Sequence, residues 1–272
     1  MNRHGYLKFT GKHRASAAIM PRRERPFTLH AIAGALIVLA GCSRENAPVA
    51  SNTPAPQTVP ASPAPVPMGY HGCPPEGDGG DRSFNRLKNR VDSTTFVPTP
   101  FAELLALGWP RAIEGRWRSE WGLLNRRRVG ADEGRPVAVE GFFSWARLAA
   151  PEGVNCHRQS AGARDWHIWL VGTRAGARSR SIVVEATPPV RERHPRWNIE
   201  TIREVGRQGK RVRVSGWLLM DAEHPDQLNR TRGSLWEIHP VIGIEIDDNG
   251  SWVALDDYTL STRSSNSTKK RR

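Results

Sequence analysis

No apolar run in the 272-residue chain reaches 18 residues, which excludes a polytopic helical membrane protein. Cysteine is scarce, with three in all. None of them forms a CxxC pair or a Cys/His zinc-finger spacing, so a zinc ribbon and a dithiol redox centre are excluded. GxSxG, P-loop, HExxH and GxGxxG strings are all missing. With them go the hydrolase elbow, the Walker-type phosphate cradle, the helical zinc protease and the dinucleotide fingerprint. Acidic side chains are few beside basic ones, 27 against 40, for a formal net charge of +13.

That charge is unevenly placed. Residues 1–41 carry +6 and residues 261–272 carry +5, whereas residues 137–260 hold sixteen charges of each sign. The high pI of about 10.7 therefore belongs to the two ends. Nucleic-acid binding needs Lys and Arg concentrated on a folded surface, and the neutral central region does not support it. Hydrophobic residues at 38% and ten Trp are enough for a packed core in one or two domains.

Arg22, Arg23 and Arg25 precede AIAGALIVLA at 31–40, a run too short to span a bilayer and matched to a signal-peptide core. Leu39-Ala40-Gly41-Cys42 follows. This order resembles the lipobox of bacterial lipoproteins. The resemblance implies that residues 1–41 are a signal peptide, that Cys42 is lipidated, and that the membrane is reached through that anchor. Met20 would give a more ordinary start. Ser43 differs from the Asp that retains lipoproteins at the inner membrane, which favours the outer membrane. Residues 42–72 are expected to be a tether: seven of the residues 48–67 are Pro, which fixes φ and removes donors. Thirty residues in polyproline II reach about 90 Å at roughly 3.1 Å each.

Cys73 and Cys156 remain, in an oxidising compartment. A disulfide between them is expected, closing a loop of about 80 residues worth about 4 kcal/mol in the chain-entropy account; the alternative is two separate buried thiols.

The rest organises as an N-terminal extension, 73–135, packing on a barrel domain, 136–260, with a basic disordered tail at 261–272. The extension holds short helices at 83–92, capped by Asp81 or Ser83, and at 101–107, stopped by Gly108 and Pro110. Trp109, Trp117 and Trp121 are expected to pack on the main domain, and 125–135 is read as a polar turn. From 136 the period is two, giving strands at 136–147, 164–172, 180–187, 210–220 and 234–246. A helix at 198–208 lies between the third and fourth, with Asn198 as cap, Gly209 as stop and Ile199, Ile202 and Val205 on one face. Residues 252–260 can add an edge strand. This order predicts a mainly β fold, a five-stranded OB-like Greek-key barrel with a helix between strands three and four, preceded by a short helical segment.

The strings Asn155-Cys156-His157, DWHIWL, SIVVEATP, VRVSGWLLMDAEHPDQ and LWEIHPV resemble a family of exported bacterial proteins with D-x-H, V-E-x-P and E-[IL]-H-P-V motifs. NRLKNRV at 85–91 resembles the stretch ahead of that domain. The resemblance covers about residues 83–246 and implies secretion, with no assigned reaction.

Strand alternation sets the candidate site. If Trp166, Ile168 and Leu170, then Ile182, Val184 and Ala186, then Trp236, Ile238 and Ile242 fill the barrel, His167, Glu185, Glu237 and His239 point outward. OB order places strand three between strands two and five, so these four are expected to converge. Two imidazoles and two carboxylates suit a divalent metal or a general acid/base pair; they equally suit a register-fixing hydrogen-bonded set. The loop after strand four adds Asp221, Glu223, His224 and Asp226 as donors. Trp145, Trp166, Trp169 and Trp217 are candidates for a stacking platform, Trp169 and Trp217 foremost. A nuclease-like reading would use Arg174, Arg178 and Arg180 in the loop between strands two and three, but their Gly, Ala and Ser neighbours point to a solvated hairpin.

Three functions follow as expectations: a lipid-anchored envelope binding module, a metal-dependent hydrolase acting through the His/Glu patch, and a passive envelope protein.

Overall fold

The computed structural model describes residues 63–260. Cys42, the signal segment, the tether up to residue 62 and the tail 261–272 lie outside the described residues. No helix among the described residues is long and apolar enough to cross a membrane.

The chain makes a closed five-stranded OB-like barrel from β2 (Pro136–Leu148), β3 (Trp166–Val171), β4 (Ile182–Ala186), β5 (Arg211–Met220) and β6 (Trp236–Asp248). The strands neighbour one another in the order β2-β3-β4-β6-β5, and β5 returns to β2. Four seams are antiparallel, with at least five Cα pairs each. The fifth, between β4 and β6, is parallel and registers on the single pair Val184–Ile238. The backbone ladder is therefore shortest there. A short β7 (Ser251–Ala254) pairs with β6, and a two-residue β1 (Val97–Pro98) pairs with β2.

Of the expected inward set, Trp166, Ile168, Leu170, Ile182, Val184, Ala186, Trp236 and Ile238 are buried in one apolar cluster, joined by Val212 and Val214; Ile242 is only partly buried, while its neighbour Val241 is fully buried. At about 25 cal/mol per Å² of apolar area this cluster dominates the folding free energy. Helix α5 (Ile199–Gln208) plugs the barrel with Ile202 and Val205. Asn198 accepts from the Glu200 N–H at its start, and Gly209 ends it at φ +61°, a left-handed conformation that favours glycine. Gly206 lets the helix approach β2; a Cβ there would lie 2.7 Å from the Phe143 carbonyl oxygen.

In the extension, Asp81 Oδ1 caps α1 (Arg82–Lys88) by accepting from Ser83 and Phe84 N–H groups at 2.9 and 3.0 Å. Helix α2 (Phe101–Ala106) follows, with Leu104 fully buried. The polar turn expected at 125–135 is in part α3 (Leu123–Gly130), anchored by the buried Val129. Trp121 is buried, but Trp117 is exposed and does not pack as expected. Residues 66–72, assigned to the tether on proline content, are bound to the domain: Val91 N donates to Val66 O and Met68 N to Asn89 O, each at 2.9 Å. Short α4 (Pro188–Glu192) follows β4. Cys73 and Cys156 form a disulfide, which ties the extension to the β2–β3 loop.

Candidate functional site

His167, Glu185, Glu237 and His239 do converge on the side of the sheet away from the barrel interior. His167 Nε2 lies 3.2 Å from Glu185 Oε1, Glu185 Oε2 lies 3.3 Å from His239 Nδ1, and His239 Nδ1 lies 3.1 Å from Glu237 Oε1. The open patch pictured from the alternation is, however, sealed. His239 is 0% exposed and Glu237 2%. Glu185 is buried as well. The β2–β3 loop brings Glu152 within 3.8 Å of His167. Helix α1 brings Lys88 within 4.0 Å of Glu152. The β5–β6 loop brings Arg232, whose Nη1 is 3.6 Å from Glu237 and 2.6 Å from Asp221 Oδ2.

His224 stands apart from the central four. Its Nδ1 pairs with Asp221 Oδ2 at 2.8 Å and its side chain is half exposed. Asp221 is thereby committed to Arg232 and His224 and offers no free oxygen to a ligand. The result is a chain of ionisable groups from Glu152 through His167, Glu185, His239, Glu237, Arg232 and Asp221 to His224.

One residue of the site was not singled out by alternation. Asp165, at the end of the β2–β3 loop, is 1% exposed. Its Oδ1 accepts from Asn155 Nδ2 at 3.0 Å, and its Oδ2 has no hydrogen bond. Asp165, Glu185 and His239 each offer a ligand atom, all within 4.8 Å of one another, and this group could hold a metal ion. The D-x-H string was the available signal, and the strand expected at 164–172 puts Asp165 on the same face as His167.

The electrostatics follow from burial and neighbours. Burial would lower the His167 pKa, yet Glu185, Glu152 and Asp165 raise it to about 9. Burial also opposes the charged form of His239, and Glu185 and Glu237 outweigh it, raising the pKa. Burial would raise Glu185, but His167 and His239 hold it well below the carboxylate range. Asp165 is pushed up to about 6 by burial and by Glu152 and Glu185. Glu237 is raised by burial, then by Glu185 and Asp221. Both imidazoles are thus shifted toward their cationic form about Glu185, whose own pKa is lowered.

Three of the four stacking candidates are spent on packing. Trp217 is 1% exposed, with the Arg90 guanidinium 3.4 Å from its ring centre and its Nε1 donating to Asp92 O at 3.1 Å. It fastens the extension to β5 and offers no open face. Trp166 is buried beneath Arg191. Trp169 is 3% exposed, so it too cannot be an open platform, but it forms a wall of a cleft of about 320 Å³. Arg147, Arg178, Asp226 and Arg230 line the same cleft. The Arg178 guanidinium lies 5.3 Å from the Trp169 ring centre and 5.8 Å from that of Trp145, which is 54% exposed. Among the described residues Arg147, Arg178 and Arg230 have no carboxylate partner.

No protein-family model matches the chain, and no curated protein matches it.

Proposed function

We propose that this chain is a binding module of the cell envelope, anchored through lipid on Cys42, and that it recognises an acidic oligosaccharide. The observation that supports the ligand class is the cleft walled by Trp169 and rimmed by Arg147, Arg178 and Arg230. Guanidinium forks pair with carboxylate or phosphate in bidentate fashion, and an exposed indole such as Trp145 packs on the apolar face of a sugar ring. The position agrees with OB barrels, whose outer strand face and last long loop take oligosaccharides and oligonucleotides. Sixteen charges of each sign over 137–260 favour spaced anions over a nucleic-acid polyanion.

A larger groove of about 450 Å³ between β2 and α5 fits less well, because its Arg203 and Arg207 are already paired with Glu200 and Glu204. A hydrolase acting through the His/Glu cluster would need substrate to reach His239 and Glu237, and both are buried.

Calorimetric titration of the full chain in detergent with hexagalacturonate tests this. Binding is expected, with no heat from cellohexaose or an eight-residue thymidine oligonucleotide. Arg178→Ala should weaken it about tenfold, or about 1.4 kcal/mol. Binding of the oligonucleotide instead, or an Arg178→Ala protein that binds like the parent, would contradict the proposal.

A further inference from the structure

We propose that Asp165, Glu185 and His239 bind one zinc ion, and that the ion acts as a staple across the β3–β4–β6 wall of the barrel. The three ligands come from three places in the chain. Asp165 ends the β2–β3 loop, Glu185 follows Val184 on β4, and His239 follows Ile238 on β6. Val184 and Ile238 are the one registered pair of the parallel seam. A divalent ion at the next residues along would therefore reinforce the barrel where the backbone ladder is shortest.

The donor set selects the metal. An imidazole beside two carboxylates suits zinc, whereas calcium and magnesium take oxygen ligands only. Two carboxylates balance the ion's charge without further counter-ions. The ligand atoms all lie within 4.8 Å of one another; a tetrahedral ion with bonds near 2.0–2.2 Å needs about 3.3–3.6 Å between them, so the side chains must close by about an ångström on binding. Two of the three ligands carry a free atom, while the Glu185 oxygens face the imidazoles of His167 and His239. Asp165 Oδ2 and His239 Nε2 are buried without a hydrogen-bond partner, a condition that is costly unless something satisfies it. Around them stand the supports a metal site requires: Asn155 holds the second oxygen of Asp165 at 3.0 Å, and Glu237 Oε1 lies 3.1 Å from His239 Nδ1. His167, with Nε2 3.2 Å from Glu185, is the nearest candidate for a fourth ligand. Burial of all three ligands favours a structural role over a catalytic one.

The test is metal content and affinity of the full chain, stripped with chelator and re-equilibrated with zinc. One zinc per chain is expected by elemental analysis, with a visible absorption band on cobalt substitution. Asp165→Asn keeps an acceptor for Asn155 and should hold the fold by circular dichroism while weakening zinc by at least about 100-fold. His239→Gln should do the same; if it fails to fold, Asp165→Asn carries the result alone. Glu245→Gln, a control on β6 paired with Arg213, and Arg178→Ala should both retain zinc, so loss of oligosaccharide binding and loss of metal read separately. Less than about 0.2 zinc per chain at micromolar metal, or an Asp165→Asn protein that binds like the parent, would overturn the proposal.

Discussion

Glu185 and His239 face each other across the parallel seam that closes the barrel, with Oε2 and Nδ1 3.3 Å apart. The seam has one registered backbone pair, so this side-chain contact is a large part of what joins β4 to β6 on the outer face. Breaking one partner of a buried ion pair leaves the other charge uncompensated and costs about 3–5 kcal/mol. Glu185→Gln should accordingly lower metal-free stability by about 3 kcal/mol in urea unfolding, and hydrogen exchange should quicken first in β4. A loss under 1 kcal/mol would mean that the pair does not hold the seam.

The disulfide acts on the same face from above. Cys156 lies in the loop that carries Glu152, Asn155 and Asp165 to the cluster, and Cys73 ties that loop to the extension. A Cys73→Ala, Cys156→Ala protein should lose about 4 kcal/mol and expose His167 to modification by diethyl pyrocarbonate. Unchanged protection of His167 would separate the cover from the disulfide.

Acid sensitivity should centre on Asp221. Burial would raise its pKa, but Arg232 and His224 hold it far below the usual carboxylate range. A depressed folded pKa gives stability that is present above the unfolded value near 3.9 and lost as pH falls below it. The urea midpoint should therefore decline below about pH 4 in the parent. Asp221→Asn should be less stable by about 3 kcal/mol at pH 7 and show a shallower acid slope. His224 works in the opposite direction. Its pKa is raised chiefly by the hydrogen bond to Asp221, so its contribution is complete below about pH 6.5 and fades as pH rises through the higher folded value.

The anchor is tested outside the described residues. Cys42→Ala should abolish incorporation of labelled fatty acid and leave residues 1–41 uncleaved; a Cys42→Ala protein that is processed normally would contradict lipidation.

The barrel was legible because its strands alternate: Ile168, Leu170, Ile182 and Val184 sit inside as their period requires. Helix α5 was legible from Asn198 and Gly209, whose local chemistry caps it. Helix α3 was not, because LLNRRRVG has no side-chain N-cap, and one buried residue, Val129, anchors it. The direction of His167, Glu185, Glu237 and His239 followed from the period of two, but their burial did not. The cover comes from Lys88, Glu152 and Arg232, which lie in a helix and two loops far apart in sequence. Nothing in a local pattern specifies that they meet. Trp217 looked available for the same reason: only the folded extension places Arg90 on its ring.

Two polar regions are proposed to differ in role, the buried cluster serving structure and the arginine cleft serving ligand. Side-chain NMR of the full chain in detergent during titration with hexagalacturonate tests that division directly. The indole signals of Trp145 and Trp169 and the guanidinium signals of Arg147, Arg178 and Arg230 should shift, while the imidazole signals of His167 and His239 stay in place. Shifts confined to the two imidazoles, or no shifts at all, would contradict it.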